Sequence, residues 1–315
     1  MTTIYKSFAA YLRSFTKWHI LLIVIAVLYV LLLIRRQIRP EIEGFEQKEN
    51  YKTMSNDDIY DTFYTDIYDE LFLQPYKIET EVGEILTLTK LPKSSKTKIL
   101  DIGCGKGHHL DHFQKMGGGV NATGLDKSSA MIAQAKELYP KVQFLHGDAN
   151  DAMSFGDDTF DMITCFTFTV YYLKDKRRFF QNCYKWLKNG GYLAVHLVDR
   201  NKFDPIVPAG KPLLVVSPQK YAKTRITNSV VKFNKFDYKA DFSLSKNNKD
   251  EATFEEKIVD DKTGKVRENI HKYYMPTRRD VIDIAKEVGF SLSGQFHLVK
   301  CMNEYQYIYI FRKST

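Results

Sequence analysis

The sequence predicts a doubly wound α/β fold, in which helices cover both faces of a mostly parallel sheet. The first observation is an apolar, strand-like run that ends in three alternate glycines, Gly103, Gly105 and Gly107, followed by a helical pattern. The second is the alternation of strand and helix patterns after it, with helical spacing over residues 127–138 and 176–187. The third is a set of acids at the ends of successive predicted strands, the edge where such sheets bind ligands.

The glycine-rich turn predicts a ligand-binding surface, because residues without a Cβ let the backbone turn tightly and approach a ligand closely. A dinucleotide fingerprint would require glycine at position 108, where the chain has His108. Asp101 precedes the glycines, and its carboxylate would repel a phosphate. The turn therefore favours a ligand that carries positive charge. A dehydrogenase that binds NAD is the weaker alternative, and such turns also occur as plain connections.

Two further acids follow the next predicted strands. Asp126 lies about 25 residues after Asp101, near the spacing at which an acid binds ribose hydroxyls in doubly wound folds. Asp148 follows the third strand, where a carboxylate can accept a hydrogen bond from an adenine amino group. Each acid alone is also compatible with a helix cap or a turn. Together at one sheet edge they predict an adenosine site.

In these motifs the chain resembles the class I S-adenosylmethionine-dependent methyltransferases. The similar segments are residues 101–107, 124–129, 147–149, 155–166 and 186–198, and the resemblance extends over roughly residues 60–315. It implies a Rossmann-like sheet of seven strands with the last one antiparallel, and S-adenosylmethionine as the cofactor. The cofactor-binding residues that it implies are Tyr64, Asp101, Gly103, Cys104, Gly105, Asp126, Lys127, Asp148, Ala149 and Phe166. It does not identify the methyl acceptor.

The pattern changes after the fifth strand of this sheet. Residues 203–275 contain alternating apolar and polar positions that are typical of half-buried antiparallel strands, two of them joined by a turn over 260–264. We expect a small antiparallel β insertion, which forms either a lid on the acceptor side or a solvent-facing sheet. A helix over 277–288 and strands over 292–299 and 305–311 then complete the main sheet.

An acidic, aromatic segment precedes the first strand of that sheet. Tyr60, Tyr64 and Tyr68 recur at helical spacing and can share one side of a helix. The resemblance implies that such a segment covers the methionine end of the cofactor, where aromatic rings attract a sulfonium. The alternative is a helix that packs its aromatic side on the sheet.

Residues 1–40 form a basic segment that predicts a membrane anchor. Residues 20–34 are fifteen apolar residues without a charge. At 1.5 Å per residue this run spans about 22 Å, less than the roughly 30 Å of a hydrocarbon core, so a crossing needs its flanks within residues 15–38. We expect a single-pass anchor with the catalytic domain facing the cytosol; a buried helix is the alternative. Residues 41–56 are a predicted linker and 57–315 the methyltransferase domain.

The charge pattern assigns the excess of basic residues to this anchor. The net charge is +8, but the first 40 residues hold six Lys or Arg and no acid, which leaves 40 bases against 38 acids elsewhere. This balance indicates attraction to anionic lipids near the anchor and argues against a nucleic-acid partner, which needs basic residues clustered on the domain. The four cysteines lack paired spacing, so neither a disulfide nor a metal site is expected.

Candidate catalytic bases are His196, Tyr171 and Asp199, because the fifth strand and the segment after the fourth strand end at the predicted pocket. For His196 the alternative is a hydrogen-bonded core position. His271, in the insertion, reaches an acceptor only if the insertion folds inward.

The absence of one motif restricts the chemical class of the methyl acceptor. Residues 165–168 lack the Asn/Asp-Pro-Pro-aromatic sequence of enzymes that methylate exocyclic amines of nucleobases or glutamine side chains. We expect a small-molecule or lipid-like acceptor near a membrane, with a protein or peptide near a membrane as the second possibility. A module that binds S-adenosylmethionine without turnover is the alternative outside the enzymes.

Overall fold

The computed structural model describes residues 17–37, 49–211 and 218–314. The chain divides into two compact units, residues 1–44 and 45–315. The described part of the first unit is one helix, α1 (Lys17–Gln37). Residues 1–16 of the predicted basic segment and residues 38–48, which include the first half of the predicted linker, lie outside the described residues.

Helix α1 occupies the position of the predicted membrane anchor. Among the described residues, none of the helices combines the length and the apolar character needed to cross a bilayer. The predicted anchor over residues 15–38 and the membrane localisation that depends on it are therefore wrong. The physical reason is length, because the uncharged run covers about 22 Å at 1.5 Å per residue, and the flanks needed to extend it contain Lys17, Arg35 and Arg36.

A mixed sheet of seven strands forms the centre of the second unit, in the order β11-β12-β6-β5-β2-β3-β4. The strands are β2 (Lys98–Ile102), β3 (Asn121–Asp126), β4 (Gln143–His146), β5 (Phe160–Cys165), β6 (Leu187–Val198), β11 (Phe290–His297) and β12 (Gln306–Lys313). The five strands from β2 to β6 pair in parallel, whereas β12 is antiparallel to both β6 and β11. The predicted seven-stranded Rossmann-like sheet with an antiparallel last strand is confirmed.

The helices of this unit are amphipathic and pack their apolar sides on the sheet or on one another. They are α2 (Thr62–Phe72), α3 (Pro75–Thr89), α4 (His108–Met116), α5 (Ser129–Leu138), α6 (Thr169–Tyr172), α7 (Lys176–Trp186) and α8 (Arg278–Val288). Leu110 of α4 and Ile132 and Ala135 of α5 pack with Phe144 of β4 in one buried cluster. The Ser128 hydroxyl accepts the Met131 N–H and caps α5. These contacts hold the two helices that follow the glycine turn and β3.

A second sheet has the order β1-β10-β9-β8-β7. Its strands are β1 (Tyr51–Ser55), β7 (Asn228–Lys232), β8 (Phe236–Leu244), β9 (Glu251–Asp260) and β10 (Val266–Tyr274). Strands β7 to β10 lie within the segment that the sequence predicts as an insertion and pair antiparallel. Strand β1 lies in the predicted linker and pairs in parallel with β10, so this part of the linker is a strand of the sheet.

The residues between β1 and α2, which we call the N-terminal segment together with α2, are also bound to the second sheet by a buried arginine. The Arg267 guanidinium of β10 donates two hydrogen bonds to the Asp61 carboxylate, at 2.9 and 2.8 Å, and one to the Ile59 carbonyl at 2.7 Å. The residues between β1 and α2 are therefore held against β10, and among them is Tyr60, which lines the cavities described next.

Candidate active site

The turn between β2 and α4 is built on three glycines in the left-handed region. Their φ angles are +68° at Gly103, +51° at Gly105 and +83° at Gly107, which L side chains rarely adopt. A Cβ at Gly103 would lie 2.3 Å from Thr169 Cγ2, and one at Gly107 would lie 2.5 Å from the Phe144 ring. Among the described residues, a Cβ at Gly105 would meet nothing within 4 Å. The turn is tightly packed at its ends and open at its centre.

Two cavities adjoin at this turn. The first, which we call the polar cavity, has a volume of about 330 Å³ and lies at the carboxyl ends of β2, β3 and β4. The second, the aromatic cavity, has a volume of about 200 Å³ and lies between the turn, α2 and the second sheet. Both are lined by Tyr60, Tyr68, Gly103, Gly105, Thr169 and Tyr172. A ligand in the polar cavity can therefore extend past the glycine turn into the aromatic cavity.

Asp126 ends β3 and lines the polar cavity. Its carboxylate accepts hydrogen bonds from the backbone N–H groups of Gly105 and Ser128, each at 2.8 Å. Burial raises the pKa of Asp126 above its usual range, while these two hydrogen bonds favour the ionised form. The turn and the start of α5 thus hold the carboxylate in one orientation beside the cavity.

Lys127 and Asp148 form an ion-pair network on the other side of the polar cavity. Lys127 Nζ lies 2.6 Å from a carboxylate oxygen of Asp57 and 3.2 Å from one of Asp148. Asp148 also accepts the Asn150 N–H at 2.8 Å. Burial opposes ionisation of Asp148, but the Asn150 N–H and Lys127 together hold its pKa below the usual range. Ala149 lines the same cavity.

Asp101 lies in β2, below the turn, and is only 1% exposed. It is not among the residues that line the two cavities. Its carboxyl accepts a hydrogen bond from the Thr164 hydroxyl at 2.8 Å. Burial raises the pKa of Asp101 to about 8; the Thr164 hydrogen bond opposes this and the nearby charge of Asp126 adds to it. The Asp101 carboxyl is therefore protonated at neutral pH in the folded chain.

We expect the raised pKa of Asp101 to make the folded chain less stable as pH rises. Between about pH 4 and pH 8 the folded chain keeps a proton that the unfolded chain releases, so each pH unit in this window costs up to about 1.4 kcal/mol. Asp101→Asn, which keeps the acceptor for Thr164, removes this loss. Urea denaturation at pH 5, 7 and 9 measures it. The free energy of unfolding of Asp101→Asn should increase relative to the wild type as pH rises, and the difference should level off above pH 8. The exposed Asp261→Asn should show no such increase. Equal pH dependence of the free energy of unfolding in Asp101→Asn and in the wild type would contradict the prediction.

Aromatic residues from three parts of the chain form the wall of the aromatic cavity. They are Tyr60, Tyr64, Tyr68 and Phe72 from the N-terminal segment, Phe166, Phe168 and Tyr172 from the segment after β5, and Phe203, Phe242, Phe254, His271 and Tyr273 from the second sheet and the loop before it. The Tyr60 and Tyr64 ring centroids are 5.5 Å apart and those of Tyr64 and Tyr68 are 6.1 Å apart. Tyr64 and Tyr68 thus share one side of α2, and Tyr60, which precedes the helix, packs beside Tyr64.

A chain of hydrogen bonds runs from the cavity junction into the second sheet. The Tyr60 and Tyr172 hydroxyl oxygens are 2.8 Å apart, and the Tyr172 hydroxyl is hydrogen-bonded to His271 Nδ1. His271 Nε2 lies 2.8 Å from a carboxylate oxygen of Glu256. Tyr172 lines both cavities, and His271 lines the aromatic cavity although only 1% of it is exposed.

Glu256 is a buried carboxylate that is fully engaged in hydrogen bonds. It accepts from the hydroxyls of Tyr64 at 2.8 Å and Tyr238 at 2.6 Å and from the Asn269 amide at 3.0 Å, in addition to His271. Burial would raise its pKa, but His271 and the other donors hold the pKa of Glu256 below the usual range. The carboxylate is therefore ionised in the interior of the second unit.

The three bases that the sequence proposes do not line either cavity. His196 is fully buried, with Nδ1 bonded to the Thr167 carbonyl and Nε2 3.0 Å from Gln306 Oε1. Burial lowers the pKa of His196 to about 4. The buried Tyr171 hydroxyl accepts the Val198 N–H at 2.8 Å. His196 therefore occupies a hydrogen-bonded position in the core, which is the alternative to a role as a catalytic base.

Asp199, the third of these bases, follows β6. Its carboxylate accepts the Asn201 N–H at 3.2 Å and lies 3.8 Å from Arg278. These contacts belong to the turn after the strand and to α8, so Asp199 stabilises a connection beside the sheet edge.

The proposed cofactor-binding residues divide between the two cavities. Asp126, Lys127, Asp148 and Ala149 line the polar cavity, and Gly103 and Gly105 line both. Tyr64, Cys104 and Phe166 line the aromatic cavity, where Phe166 stacks on the His109 ring at a centroid distance of 4.0 Å. Of the ten residues, Asp101 alone reaches neither cavity, because it lies beneath the turn.

Sequence reasoning missed Tyr172, which lines both cavities, and Glu256, which is hydrogen-bonded to His271. A signal for Glu256 is present in β9, where Ala252, Phe254 and Ile258 occupy alternate buried positions and Glu256 lies between Phe254 and Ile258 on the same side. A carboxylate on the apolar side of a strand requires buried donors, so this pattern indicates a buried polar site.

The fold and the strand-end site define a class of protein. Residues 99–191, which include the glycine turn, Asp126 and Asp148, match the family described as a methyltransferase domain. The solved structures with a similar fold include S-adenosylmethionine-dependent methyltransferases, one of them with S-adenosylmethionine bound. Residues 99–191 of the chain are therefore similar to a methyltransferase domain.

Individual relatives are similar over part of the chain. The chain is 34% identical over 143 residues to the dTDP-4-amino-2,3,4,6-tetradeoxy-D-glucose N,N-dimethyltransferase of Saccharopolyspora spinosa; the aligned region covers 44% of this chain and 55% of that protein. The chain thus spans about half the length of this relative.

Two solved structures show the same fold over most of this chain. One is an S-adenosylmethionine-dependent methyltransferase from Clostridium acetobutylicum, with a TM-score of 0.60, 16% identity and coverage of 80% of this chain and 98% of that chain. The other is an amino pentose methyltransferase from Micromonospora echinaspora with S-adenosylmethionine bound, with a TM-score of 0.53, 18% identity and coverage of 78% and 98%. At these identities the likeness concerns the fold alone.

Proposed function

We propose that this protein transfers a methyl group from S-adenosylmethionine to a small-molecule acceptor. The observation that carries the proposal is the junction of the two cavities at the glycine turn, which places a polar adenosine-sized site next to an aromatic site. The named activity of the Saccharopolyspora protein, N,N-dimethylation of an amino sugar, supports an amine as the methylated group.

The residues of the polar cavity fit the cofactor. Asp126 would hold the ribose hydroxyls, and Asp148, Ala149 and Asn150 would contact the adenine. Within the described residues, Asn150 Oδ1 is buried beside the cavity without a hydrogen-bond partner, so an adenine amino group would satisfy it. Gly103 and Gly105 would admit the methionine end, and the rings of Tyr60 and Tyr68 at the junction would stabilise a positive charge by cation–π contact.

S-adenosylmethionine supplies an already activated methyl group, so the protein has to align the acceptor and exclude water. The aromatic cavity performs both tasks in this proposal, because its walls are largely apolar and come from both sheets and α2. The second sheet acts as the lid on the acceptor side through Phe254, His271 and Tyr273. A cavity of about 200 Å³ favours a small acceptor over a folded protein.

Titration calorimetry and a labelled-methyl assay test this proposal. We expect S-adenosylmethionine and S-adenosylhomocysteine both to bind, and label to pass to a small amine such as dTDP-4-amino-2,3,4,6-tetradeoxy-D-glucose and not to a lysine-rich peptide. Failure to bind the donor would overturn the proposal. Binding without transfer to amines, alcohols, quinols or peptides would instead support the alternative of a module that binds S-adenosylmethionine without turnover.

A further inference from the structure

We propose that Glu256, His271 and Tyr172 form a proton relay that accepts a proton from an acceptor which enters the aromatic cavity as an ammonium ion. This inference rests on the proposed methyltransferase function and specifies its acceptor class. It depends on three features: the direction of the hydrogen bonds, the position of Tyr172 at the junction and the aromatic wall around it.

The direction of the relay follows from Glu256. An ionised carboxylate only accepts hydrogen bonds, so His271 Nε2, 2.8 Å from Glu256, carries the proton of that bond. In the neutral ring Nδ1 is then an acceptor, and the Tyr172 hydroxyl donates to it. This leaves the oxygen of Tyr172 as an acceptor, 2.8 Å from the Tyr60 hydroxyl and open to both cavities. The arrangement follows the logic of a Ser-His-Asp triad, with tyrosine in the outer position.

The surroundings of the relay suit a cation. The groups that face His271 are Glu256 of β9, Tyr60 and Tyr64 of the N-terminal segment, Tyr172 of α6, and Phe254 and Tyr273 of the second sheet. Among these groups, the Glu256 carboxylate alone carries a charge. Aromatic faces with a buried negative charge behind them attract an ammonium ion and do little for a neutral alcohol.

The acceptor nitrogen gives one proton to Tyr172 Oη while the Tyr172 proton moves to His271 Nδ1, which makes an imidazolium beside the Glu256 carboxylate. The freed lone pair of the nitrogen forms the N–C bond as the S–C bond breaks and its electron pair remains on sulfur. Phenol protons on Tyr60 and Tyr172 are retained at rest, because burial raises the pKa of both hydroxyls. Tyr172 thus transmits a proton and does not need to be a tyrosinate.

The first test measures the tautomer of His271 by ¹⁵N NMR in the full chain with S-adenosylhomocysteine bound. We expect the Nε2–H tautomer, and loss of this preference in Glu256→Gln. An Nδ1–H tautomer in the wild type would overturn the relay. This result does not depend on methyl transfer, so it stands even if the proposed function fails.

The second test compares the pH dependence of methyl transfer in His271→Gln and in the wild type, with dTDP-4-amino-2,3,4,6-tetradeoxy-D-glucose and dTDP-glucose as an amine and a hydroxyl probe. A general base contributes about 10²- to 10⁴-fold, so kcat on the amine should fall by that factor in His271→Gln. The remaining rate should rise about tenfold per pH unit up to the pKa of the amine, because only the free amine reacts. Tyr172→Phe should behave alike, and the affinity for S-adenosylhomocysteine should stay within about twofold in both variants.

The exposed His297→Gln is the matched control and should leave rate and pH profile unchanged. Unchanged rate and pH profile in both relay variants would overturn the relay. Transfer by the wild type to the hydroxyl probe and to no amine would overturn the ammonium inference while the proposed function survives. Absence of any transfer by the wild type would count against the proposed function and leave the NMR result to decide the relay.

Discussion

Replacement of Asp126 by alanine is expected to weaken S-adenosylmethionine binding by about 10²- to 10⁴-fold. Each hydrogen bond from a sugar hydroxyl to a charged group contributes about 1.5 to 3 kcal/mol, and a carboxylate at the end of β3 can accept two of them. Asp126→Asn, which keeps one acceptor and the size of the side chain, should lose less. Titration calorimetry with donor and with S-adenosylhomocysteine measures both effects.

The loss of Asp126 also frees the N–H groups of Gly105 and Ser128, so folding has to be followed in parallel. Thermal unfolding without ligand should show a small decrease for Asp126→Ala, and the surface substitution Asp157→Asn should change neither quantity. Donor affinity of Asp126→Ala within about twofold of the wild type would show that this carboxylate does not bind the sugar, and would remove the main support for an adenosine site in the polar cavity.

Gly103→Ala is expected to lower the free energy of unfolding by about 2 to 5 kcal/mol. An alanine in the left-handed region costs roughly 1 to 2 kcal/mol, and forcing an extra methyl into a packed site costs about 1 to 3 kcal/mol. Here both apply, because φ is +68° and the new Cβ would lie 2.3 Å from Thr169 Cγ2. Urea denaturation measures the loss.

Gly105→Ala is the matched control in the same turn. Its φ is +51°, but among the described residues a Cβ there would meet nothing within 4 Å, so only the backbone cost remains. The methyl group added at position 105 would enter the cavity junction. We therefore expect Gly105→Ala to reduce the free energy of donor binding by more than the free energy of unfolding. The double change Gly103→Ala with Thr169→Gly should recover the part of the loss that comes from the clash. Equal destabilisation by Gly103→Ala and Gly105→Ala would show that the contact with Thr169 is not limiting.

The parts of the site that follow from short-range patterns were predictable from sequence. Gly103, Gly105 and Asp126 belong to segments whose local conformation and position at a strand end are encoded within a few residues, and the alternation of elements orders the sheet around them. The polar cavity is formed from such segments. Asp101 shows the limit of this reasoning, because its place below the turn depends on Thr164 of a neighbouring strand.

The relay was not predictable in the same way. Tyr172, Glu256 and His271 lie far apart in sequence, and none of them belongs to a motif. Their meeting depends on how the second sheet packs against the segment after β5, which periodicity does not report. The bases chosen from sequence, His196 among them, lie near the correct strand ends, but their side chains are committed to core hydrogen bonds.

Strand β1 shows a further limit. A strand of five residues in a polar stretch gives little local signal, and its partner is supplied by β10. In the same way, the apolar character of residues 20–34 suggested an anchor, whereas in the described residues no helix meets the requirements for crossing a bilayer. Composition alone therefore did not predict the structure of either segment.

The parallel pairing of β1 with β10 links the order of synthesis to the completion of the site. Tyr51 is translated early, but its partner in the ladder is Val266, near the other end of the chain. Until the ribosome has released β10, β1 has no neighbouring strand among the described residues. The segment that contains Tyr60 also lacks the hydrogen bonds from Arg267, and the Tyr60 ring lacks its contact with His271. Contacts so distant in sequence form late. The wall that joins the two cavities can therefore form on a nascent chain only after β10 has been synthesised.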